Sequence, residues 1–211
     1  APMFTGIIES IGQIKTVEPL QDSTYAGVRL AVHAPSLDFS DVKLGDSIAI
    51  QGACMTVVAM ADHTFHVDVS HESLSKTVGL SQPGEVNLEK AMRLSDRVGG
   101  HLVSGHVDGL GSVTEFEPVG ESWHLQIRAP KTLSPFFAYK GSVTVNGVSL
   151  TVNKVDDHNS GECDIHINLI PHTVQMTTLK HLKAGSPVNL EIDQIARYCE
   201  RIVKTMHLNQ N

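Results

Sequence analysis

The amino-acid sequence predicts a mainly β protein: two tandem barrels of six antiparallel strands each, with short helices and a C-terminal helix. Two observations lead to this fold class. The chain repeats its own motifs after about one hundred residues, and many segments of both repeats alternate apolar with polar residues. That alternation gives a sheet one face to bury and one to expose to water, and about six short strands per repeat suit a small closed barrel.

The repeat rests on three motifs that occur twice in the same order. Three matched segments are hard to obtain by chance, so they indicate a tandem duplication. We expect an N-terminal unit at residues 3–97, a C-terminal unit at 98–193 and a terminal helix and tail at 194–211. The paired motifs are Phe-Thr-Gly-Ile-Ile at 4–8 with Val-Ser-Gly-His-Val at 103–107, Gly-Ala-Cys-Met-Thr-Val at 52–57 with Gly-Val-Ser-Leu-Thr-Val at 147–152, and Val-Asn-Leu-Glu at 86–89 with the same four residues at 188–191.

Strands are predicted where apolar residues recur at every second position. The central segments 47–60 and 142–155 are also extended, but Gly52 and Gly147 stand in their middle. Glycine weakens a plain strand, so each marks a tight turn or a close backbone approach to a ligand. The clearest alternations are Val28, Leu30 and Val32; Phe65, Val67 and Val69; Trp123, Leu125 and Ile127; and Ile165, Ile167 and Leu169.

Helices are expected in few places. In the stretch 194–207, Ile195, Tyr198, Ile202 and Met206 recur at spacings of three and four, which predicts an amphipathic helix. The first repeat has no equivalent, so this apolar stripe covers either the chain's own barrels or another subunit. We favour the subunit, because closed barrels already bury their own strands. Shorter helices are predicted near 35–42, 74–80, 130–139 and 174–182, and residues 93–97 link the two repeats.

Composition limits the classes of partner. With 41% apolar and 18% charged residues the chain is typical of a folded globular protein, and its net charge of −7 disfavours nucleic acid. No apolar run is long enough to span a bilayer, and no secretion signal is recognised. Cys54, Cys163 and Cys199 are odd in number and widely spaced, which argues for a reducing compartment. We therefore expect a cytoplasmic protein with no nucleic-acid or membrane partner.

Two histidines mark the start of the second repeat. His101 and His106 are five residues apart, so on a strand they would point to opposite faces, and no cysteine or acidic cluster completes a metal site. For His101 we favour a structural, hydrogen-bonded role. His106 stands where the first repeat has Ile7. A titratable group at an otherwise repeated position suggests a general acid or base.

Cys54 of the first repeat stands where the second has Ser149. Either Cys54 is simply a small buried residue, or the pair are nucleophiles or hydrogen-bond donors at one position of two related pockets. Thr56 and Thr151 would add a hydroxyl two residues further along the same strand face.

Lys140 and Asp193 are further candidates, because the first repeat has Gly45 and Ala91 in their places. Taken singly, each is also an ordinary surface charge.

In combination these motifs resemble riboflavin synthases. The resemblance runs from Met3 to about Ile202 and includes Gly-Gly-His-Leu-Val-Ser-Gly-His-Val-Asp-Gly at 99–109 and Leu-Ile-Pro-His-Thr at 169–173. It implies two Greek-key barrels that each bind one 6,7-dimethyl-8-ribityllumazine, and a dismutation that gives riboflavin and 5-amino-6-ribitylaminouracil. It further implies no metal or redox cofactor, a homotrimer held by the C-terminal helix, an active site between neighbouring subunits, and an association with lumazine synthase.

The resemblance also assigns residues. At position 172 the chain departs from the bacterial pattern, in which a glutamate often follows the proline; the role of His172 is open, and its first-repeat counterpart is Glu72. The implied catalytic residues are Cys54, His106, Ser149 and Asp193, and the implied substrate-binding residues are Phe4, Ser47, Thr56, Lys140, Thr151, Ile170 and Thr173.

Two other functions are compatible with such a duplicated barrel. A non-catalytic antenna protein would bind lumazine or flavin without converting it, but relatives of that kind tend to lose the motifs of one repeat, and both are intact here. A flavin-reductase barrel would need a nicotinamide-binding domain with a Gly-rich fingerprint, for which no residues remain.

Overall fold

Two closed barrels, each of six antiparallel strands, form most of the computed structural model, which describes residues 1–209. The predicted fold class is confirmed. In each barrel the strands follow the same cyclic order, first-second-fifth-fourth-third-sixth. The N-terminal barrel contains β1 (Ser10–Pro19), β2 (Val28–His33), β3 (Ser47–Ile50), β4 (Ala53–Ala61), β5 (Thr64–Val69) and β6 (Gly84–Lys90). The C-terminal barrel contains β7 (Gly109–Val119), β8 (Ser122–Ala129), β9 (Ser142–Val145), β10 (Val148–Asp157), β11 (Cys163–Leu169) and β12 (Pro187–Ile192).

Each barrel has its own apolar core, built as the alternation predicts. On β5, Phe65, Val67 and Val69 are buried inside, whereas Asp68 faces outward and pairs with Arg29 of β2. Full burial of one such apolar side chain stabilises a fold by about 1.5–3 kcal/mol. The two cores share no buried residue, so the barrels are joined by their surfaces.

The glycines in the middle of the two central segments form tight turns that also touch each other. Gln51 and Gly52 have φ of 50° and 88°, and Asn146 and Gly147 have φ of 50° and 84°. Such positive values are typical of the two-residue turns that connect the strands of a β-hairpin. A Cβ atom on Gly52 would lie 2.8 Å from the backbone nitrogen of Gly147. The predicted tight turn is therefore present at both glycines, and each glycine also lies in close backbone contact with the other repeat.

The asparagine of each Val-Asn-Leu-Glu motif connects the barrels. Asn87 Nδ2 donates to the carbonyl of Asn146, and Asn189 Nδ2 donates to the carbonyl of Gln51, both at 2.9 Å. Both asparagines are buried, where an unmatched amide would be costly. The repeated motif thus serves the contact between repeats.

The short helices agree only in part with the sequence analysis. No helix forms at 35–42, where a side-chain bond from Ser40 N to Asp38 Oδ1 stabilises a turn instead. In 130–139 there is only one 3-10 turn, Ser134–Phe136, and a second 3-10 turn, Thr178–His181, lies in the predicted 174–182 stretch. The helices are α1 (His71–Lys76), α2 (Pro171–Gln175) and α3 (Gln194–Leu208).

The predicted C-terminal amphipathic helix is present as α3. Its main polar anchor is Arg197, which pairs with Asp108 of the C-terminal barrel at 2.8 Å. No described residue of α3 is buried. Residues 210 and 211 of the predicted tail lie outside the described residues, and none of the helices in 1–209 is long and apolar enough to cross a membrane. The exposed apolar side chains are Ile195, Tyr198, Ile202, Val203, Met206 and Leu208.

Candidate functional site

Two short segments cross between the barrels and reach the paired positions Cys54 and Ser149. Cys54 N donates to the carbonyl of Gly105, and Ser149 N donates to the carbonyl of Gly6, both at 2.8 Å. The approach is tight, since a Cβ atom on Gly6 would lie 2.5 Å from that of Ser149. Each candidate nucleophile therefore lies against a segment of the other repeat.

Cys54 lines a cleft of about 350 Å³ together with His106 of the other repeat and Glu72 and Lys76 of α1. Burial raises the pKa of the Cys54 thiol, and a hydrogen bond with the Ser47 side chain opposes that rise. The thiol form is therefore favoured at neutral pH. It can donate a hydrogen bond, or act as a nucleophile once a base removes its proton.

The other predicted residues of the N-terminal barrel lie close to Cys54. Phe4 is fully buried and packs in a small cluster that includes Cys54 and lies between the two repeats. Ser47 faces Thr56 directly across the β3–β4 pair, and Thr56 is exposed on the same strand face as Cys54. The structure thus brings Phe4, Ser47, Cys54, Thr56 and His106 together.

Ser149 forms a close pair with His101. The distance from His101 Nδ1 to Ser149 Oγ is 2.6 Å, and His101 Nε2 lies 3.4 Å from Thr144 Oγ1. Burial lowers the pKa of His101, while the charge of Asp193 acts in the opposite direction. A neutral imidazole whose Nδ1 accepts the Ser149 proton has the geometry of a general base beside a nucleophile.

His101 is hydrogen-bonded as predicted, but its partner is a candidate catalytic residue, so a purely structural role is too narrow. His101 and His106 do not lie on a regular strand. In 101–108 only Val103 pairs, in a single bridge to Phe4, because the backbone N–H groups of Ser104 and Gly105 bind Glu191 instead. The two histidines therefore belong to different sites. Among residues 1–209 no three His, Cys, Asp or Glu side chains are arranged to hold a metal ion.

The remaining candidates of the C-terminal barrel surround Ser149 less closely. Thr151 is exposed and lies opposite Ser142 on β9. Lys140 is exposed in a left-handed conformation, with φ of 68°, where the first repeat has Gly45 at 92°. Its ammonium lies 5.3 Å from the centre of the Tyr139 ring.

Asp193 has a structural contact of its own. Its carboxylate accepts from Ile195 N at 3.1 Å and so caps α3. Ile170 and Thr173 lie at the start of α2, beside the exposed His172. Within 1–209 none of Lys140, Ile170 and Thr173 is hydrogen-bonded to Ser149.

Two buried glutamates were missed by the sequence analysis, which used them only as part of a repeat. Glu89 Oε2 accepts from Thr5 N at 2.8 Å and from Thr5 Oγ1 at 3.1 Å, and its Oε1 accepts from Gly6 N at 2.9 Å. Glu191 binds Ser104 and Gly105 in the same way. The sequence does contain a pattern that indicates this contact. Each Val-Asn-Leu-Glu motif ends in glutamate, and a residue with a hydroxyl group precedes Gly6 in the first repeat and Gly105 in the second.

The titration of Glu89 predicts how stability depends on pH. Burial raises the pKa of Glu89 from 4.5 to about 7, so between these pH values the folded chain keeps a proton that the unfolded chain has lost. The free energy of unfolding is therefore expected to fall by about 3 kcal/mol as pH rises through this range, apart from other groups. In Glu89→Gln this component should vanish, whereas the exposed Glu121→Gln should retain it. Urea unfolding of all three proteins at several pH values measures it, and identical slopes for wild type and Glu89→Gln would contradict it.

Both repeats of the chain match a known protein family. The family model of the lumazine binding domain matches twice, at residues 5–91 and 104–193. Riboflavin synthase of Photobacterium phosphoreum is 43% identical over 203 residues, which cover 95% of this chain and 89% of that protein. Riboflavin synthase of Brucella abortus is 43% identical over 209 residues, covering 96% and 98%.

Solved structures agree on the fold. LumP complexed with 6,7-dimethyl-8-(1'-D-ribityl) lumazine superposes with a TM-score of 0.73 at 23% identity, over 89% of this chain and 98% of that one. LumP complexed with riboflavin gives a TM-score of 0.75 at 23% identity, over 90% and 100%. At this identity the likeness concerns the fold alone, whereas the riboflavin synthases match in sequence along nearly their whole length. The chain belongs to the riboflavin synthase family, with two lumazine binding domains.

Proposed function

We propose that this chain catalyses the dismutation of two molecules of 6,7-dimethyl-8-ribityllumazine. One molecule gives a four-carbon unit to the other, which yields riboflavin and 5-amino-6-ribitylaminouracil. The observation that carries the proposal is the pair of pseudo-symmetric sites whose reactive groups differ: Cys54 with Ser47 and His106, and Ser149 with His101. Two identical molecules with different roles, donor and acceptor, require two related but unequal sites.

The chemistry asks for groups that these sites contain. A proton must leave an acidic methyl group of one lumazine, and a nucleophile must add to the ring of the other. Neutral His101 can take the proton of Ser149 as its oxygen attacks, and His106 faces the cleft of Cys54. The two products together contain all atoms of the two substrates. The reaction therefore consumes no oxidant or reductant, and we propose no cofactor.

The other residues are proposed to hold the substrates. Position supports four of them: Thr56 and Thr151 lie two residues from Cys54 and Ser149 on the same strand faces, Ser47 lies opposite Thr56, and the buried Phe4 packs beside Cys54. Lys140, Ile170 and Thr173 are proposed from the family resemblance alone. Orienting two rings face to face within reacting distance supplies a large part of the rate enhancement of such a reaction. The proposed binding residues are Phe4, Ser47, Thr56, Lys140, Thr151, Ile170 and Thr173, with Cys54, His106, Ser149 and Asp193 as proposed catalytic residues.

We further propose a homotrimer held by α3. The helix presents an apolar stripe from Ile195 to Met206 that its own chain does not bury, and such a stripe favours a helix–helix interface. The complete active site would then combine the N-terminal barrel of one subunit with the C-terminal barrel of its neighbour. We also propose a division into the units 3–97 and 98–193, a cytoplasmic location, and an association with lumazine synthase.

Removal of α3 should give monomers. A chain that ends at residue 193 keeps both barrels, so it should still bind ligand but turn over poorly, because facing barrels are no longer held together. The point variant Tyr198→Asp should act in the same direction, and Lys204→Ala, on the face of the helix opposite the apolar stripe, should not. Sedimentation velocity reports the outcome, and a trimer that persists without α3 would contradict this role.

The experiment that tests the function is simple. Purified protein is mixed with 6,7-dimethyl-8-ribityllumazine alone, and riboflavin fluorescence is recorded. Steady formation of riboflavin supports the proposal. An antenna protein, the second candidate because of the likeness to LumP, would hold the lumazine unchanged.

A further inference from the structure

One carboxylate of the N-terminal barrel fixes the backbone around the catalytic pair of the other barrel. Glu89, near the end of β6, binds Thr5 and Gly6 through both of its oxygens. The carbonyl of Thr5 accepts from His101 N at 3.0 Å, and the carbonyl of Gly6 accepts from Ser149 N at 2.8 Å. Two consecutive residues, Thr5 and Gly6, therefore connect Glu89 to both members of the His101–Ser149 pair.

Burial of the Glu89 side chain costs free energy of folding. Glu89 is only 4% exposed, and within 1–209 no Lys, Arg or His side chain forms a salt bridge with it. Its neighbour Lys90 binds Asp38 and Asp41 instead. Burial without a counter-ion penalises the charged form of Glu89 and raises its pKa, and the hydrogen bonds from Thr5 and Gly6 offset only part of that cost. Such a group at this position points to a role other than stability.

The second repeat provides a built-in comparison. Glu191 holds Ser104 and Gly105, but that segment leads to the backbone N–H of Cys54 and to no histidine of the other barrel. The two glutamates thus hold equivalent segments, although Glu191 also accepts from Gln194 Nε2 at 3.4 Å, and they differ in the site that they support.

We propose that Glu89 is a positioning residue for the proposed reaction: by fixing Thr5 and Gly6 of the first repeat, it sets the spacing between His101 and Ser149 of the second repeat. Glu191 does the same for Cys54. The role rests on the proposed function, because its kinetic consequence requires that this pair acts in turnover.

A kinetic double-mutant cycle tests the coupling. Glu89→Gln keeps the shape of the side chain but turns one acceptor oxygen into a donor, so it should lower kcat by about 10- to 100-fold, the effect of a small misplacement of reacting groups. If Glu89 acts only through the pair, the same change in a Ser149→Ala background should have almost no further effect. Glu191→Gln is the matched control and should lower kcat equally in both backgrounds. A loss from Glu89→Gln that is the same in both backgrounds would overturn the proposal.

An NMR titration of the His101 ring tests positioning without turnover. The groups that face the ring are Ser149, Thr144 and Asp193. In wild type its pKa lies below the ordinary histidine value because the ring is buried; Glu89→Gln should move it towards that value, and Glu191→Gln should not.

Thr5→Val removes the hydroxyl contacts to Glu89 and to Ile7 N but keeps the backbone bonds to Glu89. It should shift the His101 titration in the same direction by a smaller amount, and it covers the case in which Glu89→Gln does not fold. An unmoved His101 titration in these variants overturns the positioning role. If wild-type protein makes no riboflavin while the titration shifts as expected, the proposed function fails and the positioning stands.

Discussion

Replacing Ser149 by alanine is expected to lower kcat by about 10²- to 10⁴-fold, with a much smaller change in KM. The variant removes the hydroxyl that lies 2.6 Å from His101 Nδ1, so the base loses the proton that it is placed to accept. The backbone bond to Gly6 is retained, and the fold should therefore be unaffected. Ser112→Ala, an exposed serine of the same barrel, is the matched control. Steady-state kinetics on lumazine measures both, and an equal kcat for the two variants would show that Ser149 is not part of the machinery.

The pairing of His101 with Ser149 also predicts how activity decreases at low pH. His101 acts as a base only when neutral, and burial lowers its pKa from 6.5. The activity that depends on it is therefore kept to lower pH than for an ordinary histidine and falls as pH drops through the lowered value. The variant His101→Gln should no longer show this decrease in activity at low pH.

Replacing Cys54 by serine is expected to lower kcat by about 10-fold or more while ligand affinity stays nearly constant, because the thiol matters mainly in the transition state. Serine is a poorer nucleophile than a thiolate, although it retains the hydrogen-bonding geometry next to Ser47. Fluorescence titration gives affinity, and turnover gives kcat. A loss of affinity without a loss of kcat would assign Cys54 to binding only.

The exchange variant Cys54→Ser with Ser149→Cys tests the inequality of the two sites. It restores one thiol and one hydroxyl but in the wrong barrels, next to His101 instead of His106. It should stay slow, and wild-type activity in this variant would show that the sites are interchangeable. His106→Gln should also slow turnover, because it removes the imidazole that lines the cleft of Cys54. Unchanged turnover would leave His106 a structural role.

Much of the fold can be predicted from local patterns in the sequence. Alternation identifies strands such as 65–69, and a glycine inside an extended run identifies the hairpin at Gln51–Gly52, because both depend on residues near in sequence. The prediction of a helix near 35–42 is wrong for a reason that is also local. The side chain of Asp38 accepts a hydrogen bond from Ser40 N and so stabilises a turn in place of the helix.

The site is harder to predict, because its contacts join residues far apart. Nothing local indicates that Gly6 reaches Ser149 or that Glu89 holds Thr5, and the pairing of His101 with Ser149 depends on both. Comparing the repeats finds Cys54, Ser149 and His106, since these positions differ between copies. It gives no weight to Glu89, which is the same in both copies.

The stoichiometry of the products shows whether two unequal sites on this chain convert two identical molecules. Purified protein is given 6,7-dimethyl-8-ribityllumazine without any additive, and the substrate and both products are quantified by chromatography over time. We expect one riboflavin and one 5-amino-6-ribitylaminouracil for every two lumazines consumed. Lumazine that remains bound and unconverted, or riboflavin formed without its pyrimidine partner, would contradict it.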